Sequence, residues 1–171
     1  HAPQTLKLSH PIGDKDDGAG IELGMGMGGD AIHMDKFFTT CPWTIPEGHA
    51  YAVFVNQQGQ RFINEDRYHG QVSRYGVDQI GDRVYQLLDV AHYEHVPDFA
   101  LIDIAATGDT WEEVEAELEM PAGSLSQTMA FYNRHAREGQ DPLFGKRPPI
   151  LTALDKGPFI ALELNFARAY F

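Results

Sequence analysis

An α+β fold is predicted by three features: a β-hairpin within residues 51–64, a capped pair of amphipathic helices after residue 110, and no strand–helix–strand alternation. The chain has 171 residues, of which 43% are hydrophobic and 22% charged, enough for one domain with its own core. It contains no internal repeat and no low-complexity tract.

Residues 1–16 read as loop, broken by Pro3, Pro11 and Gly13. From Asp17 to Gly29 the sequence is glycine-rich yet compatible with a helix. Gly20, Gly24 and Gly28 recur every four residues beside Ile21 and Met25, so a glycine line runs next to an apolar one. Each interior glycine costs a helix about 1 kcal/mol relative to alanine. That cost makes sense where another backbone or a flat ligand comes close; otherwise the stretch is a loop.

Tyr51–Val55, a turn over Gln57–Gln60 and a return over Arg61–Asn64 predict the hairpin, with Gly59 in its turn. Residues 70–80 are helical or irregular, and strands are expected at Arg83–Leu88 and Asp98–Ile102. Thr110-Trp-Glu-Glu113 has the form of a capping box, opening a helix striped by Trp111, Val114 and Leu118. After Pro121 a second stripe, Leu125, Met129, Tyr132 and Ala136, runs to a stop near Gly139. A loop over 140–149 precedes a last apolar strand beginning at Pro158. The start at His1 and the apolar finish at Ala169-Tyr170-Phe171 are expected of a piece of a longer chain; a final strand docked in its own sheet is the alternative.

Charge and cysteine content narrow the function. Thirteen Lys and Arg against 25 Asp and Glu give a net charge of −12, which disfavours nucleic acid and anionic membrane surfaces. No apolar run has the length of a membrane span and no signal peptide is apparent, so a soluble, cytoplasmic protein is expected. The single cysteine, Cys41, excludes an intrachain disulfide and reads as a small buried apolar residue.

Gly24-Met-Gly-Met-Gly-Gly29 has dinucleotide-fingerprint spacing, but the polar stretch Gly13–Gly20 before it is no buried strand, so it is not read as one. His92 and His95 lack helical ligand spacing and a third ligand, and no metal site is expected. The six acids between Asp109 and Glu119 are expected to form a solvated helix face. The segment Arg61-Phe-Ile-Asn-Glu-Asp-Arg-Tyr-His-Gly70 stands apart. Its charges suit a decorated edge strand, yet a Tyr–His pair flanked by Asp66 and Arg67 also suits proton transfer, because a cation lowers the cost of a phenolate and His relays protons near neutrality.

Val55-Asn56-x-x-Gly59-x-Arg61-Phe62-x-Asn64-Glu65 resembles the hairpin motif of flavoproteins sharing the fumarate reductase and succinate dehydrogenase fold, with the 3-ketosteroid dehydrogenases nearest. Asp17-Gly-Ala-Gly-Ile21 is similar to that family's T-G-D-G-I segment. Thr110-Trp-Glu-Glu113, Thr128 with Tyr132-Asn133, Gly139-x-Asp141 and Phe144-Gly145 follow its later helices and loop. Pro158-Phe159 resembles the approach to a T-x-G-G motif that would follow Phe171. The resemblance spans residues 13–171.

The resemblance implies antiparallel sheet and helical pair of the flavoprotein cap domain, without a complete Rossmann domain. Residues 1–30 would be the edge of the FAD domain, 31–157 the cap, and 158–171 a strand returning toward the FAD domain. It further implies an oxidoreductase acting on a C–C bond beside a carbonyl, with a flat ketone or enone as substrate, and FAD held mainly by the other domain. Gly18, Ala19 and Gly20 would lie along the cofactor, Ala19 replacing the family's acidic ligand. Tyr68 would be the phenolic acid or base, His69 and Arg67 its neighbours, and Tyr170 a second pocket tyrosine, while Arg61 supports the hairpin through Glu65 or Asp66. His69 falls where fumarate reductases carry an Arg proton donor, and Cys41-Pro42 where they carry a substrate-binding His-Pro; both departures argue against fumarate or succinate. Taken alone, the chain would be catalytically silent. The rival readings are a stand-alone protein-interaction module and a small hydrolase using Cys41 or the Asp/His set.

Overall fold

A computed structural model describes residues 17–39, 46–79, 81, 83–96 and 102–165. Its centre is a four-stranded, wholly antiparallel sheet in the order β1-β2-β4-β3. The strands are β1 (Val53–Asn56), β2 (Arg83–Asp89), β3 (Asp103–Gly108) and β4 (Phe159–Asn165). The helices are α1 (Ala19–Gly26), α2 (His69–Val77), α3 (Trp111–Glu117) and α4 (Ser124–Arg137), with a 3₁₀ turn at Glu47–Tyr51. The α+β class follows.

Both faces of the sheet are covered, which is why β2 and β4 read as continuous apolar runs rather than alternating ones. On one face Val53, Val55, Tyr85, Leu87 and Ala161 pack with the stripes of α3 and α4. All seven stripe residues named from the sequence are buried. On the other face Phe54, Val84 and Leu164 meet Val72 and Val77 of α2, and Leu88, Ile160 and Leu162 meet Ala52 and Val96. Gln86, the polar residue within β2, donates to the His49 carbonyl at 3.3 Å.

Several local expectations are modified. The hairpin turn forms, with Gly59 at φ 69°, the Asn56 N–H bonded to the Gln60 carbonyl, and Asn56 Oδ1 accepting from the N–H groups of Gln58 and Gln60. Its return arm, however, is one bridge, Val55 to Arg61, and no strand. The Phe54 N–H on that edge is taken instead by the Glu65 carboxylate at 3.2 Å, so the ladder has nothing to extend with. β3 begins at Asp103, beyond the expected strand, whose residues 98–101 lie outside the described residues.

The acidic run is not simply solvated. Glu115 is buried and accepts from the N–H groups of Gly123, Leu125 and Ser126 at 2.5, 2.7 and 3.1 Å. The capping box at α3 is also displaced by one residue: Thr110 Oγ1 accepts from Glu113 N–H, but the Glu113 carboxylate reaches Asp109 N–H rather than Thr110's own. α1 forms as the glycine spacing allowed, and none of its residues is buried.

Candidate functional site

The hairpin motif builds a brace. Arg61 donates through Nε and Nη2 to both oxygens of Glu65 at 3.0 and 2.8 Å, and through Nη1 and Nη2 to both oxygens of Asp141 at 3.0 and 2.9 Å. The side chains of Arg61, Glu65 and Asp141 are each only 2% exposed. The guanidinium lies over the rings of Tyr132 and Phe144, 4.9 and 5.0 Å from their centroids. Burial works against this charge, but the bonds to Asp141 and the charge of Glu65 outweigh it and hold Arg61 protonated more firmly than usual. Burial would likewise raise the Asp141 carboxyl, but the bond and charge of Arg61 together with the N–H groups of Lys146 and Phe144 more than reverse that, leaving it below the ordinary range.

Lys146 completes the cluster. Its Nζ donates to the carbonyls of Tyr51 and Ala52 at 3.0 and 2.6 Å and lies 4.0 Å from Glu65 Oε2. Burial pushes its ammonium down to about 8, against the pull of Glu65 and Asp141. Arg61 therefore supports the hairpin through Glu65, as the sequence suggested, while Asp66 pairs with Arg147 instead. The sequence does not mark Asp141 and Lys146 as partners of Arg61 and Glu65. The stretch from Gly139 to Gly145 was visible as a motif, but a contact across 80 residues carries no periodic signal.

Past the brace the chain turns through Asn64, whose Oδ1 accepts from Asp66 N–H at 2.8 Å, and delivers Arg67, Tyr68 and His69 to the start of α2. The Tyr68 carbonyl accepts the first helical N–H groups, from Gln71 and Val72. Tyr68 is 60% exposed, and its ring sits 4.2 Å from the His69 ring and 6.0 Å from that of Phe38, centroid to centroid. Gly70 makes that approach possible, since a Cβ there would overlap the Phe38 ring.

Tyr68 opens onto a cleft of about 410 Å³ walled by Phe37, Phe38, Tyr75 and Arg74. Arg74 is tied to Asp78 and lies over the Phe37 ring. Arg67 and His69 line a neighbouring cleft of about 290 Å³ with His49, Glu65, Phe54 and Val72. There His49 Nε2 bonds to the Glu94 carbonyl, and burial holds its imidazole below the usual range. The structure thus brings the rings of Tyr68 and His69 together, while Arg67 lines both the second cleft and a third one with Asn64, Gln71 and Tyr75. His92 is bonded through Nδ1 to buried Asp89 at 2.6 Å. Cys41 and Tyr170 lie outside the described residues.

Gly18, Ala19 and Gly20 line neither cleft. Gly18 caps α1 with φ 81°, and the Ala19 N–H donates to Asp17 Oδ1 at 2.9 Å. A pyrophosphate needs free N–H groups or cations at such a helix start. Here the first N–H is taken, and Glu22 is in the first turn. Gly20 and Gly24 have nothing within 4 Å of where a Cβ would stand, so the helix surface beside them is open.

No family model matches the chain. It is 26% identical over 176 residues to 3-oxo-5-alpha-steroid 4-dehydrogenase of Comamonas testosteroni, covering 91% of this chain and 32% of that protein. It is 27% identical over 117 residues to fumarate reductase (cytochrome) of Shewanella frigidimarina, covering 67% of this chain and 20% of that protein. The crystal structure of 3-ketosteroid-delta4-(5alpha)-dehydrogenase from Rhodococcus jostii RHA1 in complex with 4-androstene-3,17-dione superposes with a TM-score of 0.84 at 27% identity, covering 99% of this chain and 36% of that one. The chain thus spans about a third or less of each of these three proteins. Among the described residues no helix is long and apolar enough to cross a membrane. In sequence and fold together the chain is similar to the ketosteroid dehydrogenases and fumarate reductases, and the solved structures cover nearly all of it, consistent with a cap domain of that superfamily.

Proposed function

We propose that the chain is the cap of a flavin-dependent oxidoreductase that acts on a C–C bond next to a carbonyl, with a flat ketone or enone as substrate. In this reading residues 1–30 lead in from the flavin domain, 31–157 form the cap, and 158–171 lead back, β4 completing the cap sheet on the way. FAD, held chiefly by that other domain, supplies the acceptor or donor of hydride when bound. The chain's own share is the proton. Tyr68 takes it from, or gives it to, the carbon beside the carbonyl while the hydride leaves or joins the neighbouring carbon, so the two hydrogens account for the double bond made or lost.

His69, in ring contact with Tyr68, passes the proton toward solvent, and Arg67 supplies positive charge from the adjoining cleft. The aromatic wall of Phe38 and Tyr75 takes the flat face of the substrate and keeps water from it. Gly18, Ala19 and Gly20 are assigned to the edge of the cofactor ring, and Tyr170 is assigned as a second pocket tyrosine. The cap alone does no chemistry, since its described residues offer no phosphate cradle.

The observation that carries this reading is the exposed Tyr68, which lines an aromatic cleft three residues beyond a buried ionic brace. The test is Tyr68→Phe in the full-length protein. The chemical step should slow about a hundredfold, the scale of a lost general acid or base, with flavin content unchanged. Full activity in that variant removes Tyr68 from the reaction.

A further inference from the structure

We propose that the loop over residues 141–147 sets the position of Tyr68, with Arg147 and Asp141 as positioning residues. The inference rests on Tyr68 as the proton-transfer group, but its structural half can be tested without turnover.

Two consecutive residues ahead of Tyr68 are each gripped from this one loop. Glu65 is held through Arg61, whose fork it shares with Asp141, and lies 4.0 Å from Lys146 Nζ. Asp66 Oδ2 accepts from both Nε and Nη2 of Arg147 at 2.9 and 2.8 Å. Only Arg67 separates this grip from Tyr68. The Asp141 carboxylate is itself fixed by the N–H groups of Phe144 and Lys146, so the loop acts as one rigid piece.

The grips differ in kind. The Arg61 cluster is buried, and its loss threatens the fold. Arg147 is exposed, its side chain 77% accessible, and such a pair adds little to folding stability. Its consequence is therefore geometric: it fixes the direction in which the chain leaves Asp66.

The experiment reads the ring-proton resonances of Tyr68 in the 171-residue chain, where the His69 and Phe38 rings at 4.2 and 6.0 Å make them sensitive to position. Arg147→Ala should move these resonances with the melting temperature unchanged. Arg147→Lys should recover part of the shift, and exchanging the charges with Asp66→Arg plus Arg147→Asp should recover most of it. In the full-length protein Arg147→Ala should lower kcat about tenfold with KM little changed, as expected when a reacting group is misplaced by a fraction of an ångström. Asp141→Asn should act in the same direction. Tyr68 resonances that do not respond to Arg147→Ala overturn the inference. Resonances that move while kcat stays at the wild-type value leave the positioning in place and remove Tyr68 from the reaction.

Discussion

Lys146 shows how much a single side chain depends on what surrounds it. Its ammonium faces Glu65, Arg61, Asp141 and Asp66, bonds to two carbonyls, and lies 5.8 Å from the Tyr132 ring centroid, yet burial prevails and holds it near 8 rather than the ordinary 10.5. The unfolded chain therefore binds this proton more tightly than the folded one, and stability gains from Lys146 as pH rises through 8. The expected slope between pH 8 and 9.5 is about 1 kcal/mol per pH unit from this group. Urea midpoints measured across that window should rise more in the wild type than in Lys146→Met. Above pH 10 the raised phenols of Tyr85 and Tyr132 act in the opposite sense, so the window closes there. None of this was legible in the sequence. Lys146 reads there as one more loop cation, whereas the Arg61–Glu65 pair, four residues apart on one motif, was legible.

Among the elements, α4 depends on a residue that does not belong to it. Its N-cap, Gly123, has no side chain to offer, and Glu115 of α3 satisfies three of the N–H groups at its start. Burial would raise the Glu115 carboxyl, but those bonds prevail and hold it low. Its contribution is thus present above the ordinary value of 4.5 and is lost as pH falls through the lowered one. Glu115→Gln should cost about 1–2 kcal/mol at pH 7, seen in chemical denaturation, and should shrink the acid-side loss of stability. The helices themselves were legible because their stripes hold to one period, and the acidic run was not. Six carboxylates in eleven residues look alike until the α3–α4 turn folds one of them inward. The missing return arm of the hairpin has the same origin, since the bond that displaced it comes from the side chain of Glu65.

For the molecule as a whole, sequence order and spatial order part company at β4. The last described strand lies between β2 and β3, with register running from Phe159–Asp89 to Asn165–Arg83 on one side and Phe159–Gly108 to Glu163–Asp103 on the other. The α+β class was legible from local patterns; strand order was not, because an apolar strand buried on both faces carries no mark of its neighbours. The same holds for the site. Its motif residues were visible one by one, but their convergence on Arg61 required the sheet to bring residues 61 and 141 together.

One element is left unburied by the described residues. α1 has eight residues, three of them glycine, and buries none of them, while Ile21, Leu23 and Met25 stand in water. A helix so short and unsupported has too little cooperativity to persist by itself. Amide protons from Ile21 to Gly26 in the 171-residue chain should exchange nearly as fast as in an open peptide, while those of β4 exchange slowest. In the full-length protein the same six amides should gain protection. Their deuterium uptake by mass spectrometry then serves as a built-in gauge of assembly: rapid labelling signals a surface awaiting its counterpart, and retarded labelling signals that the counterpart has arrived.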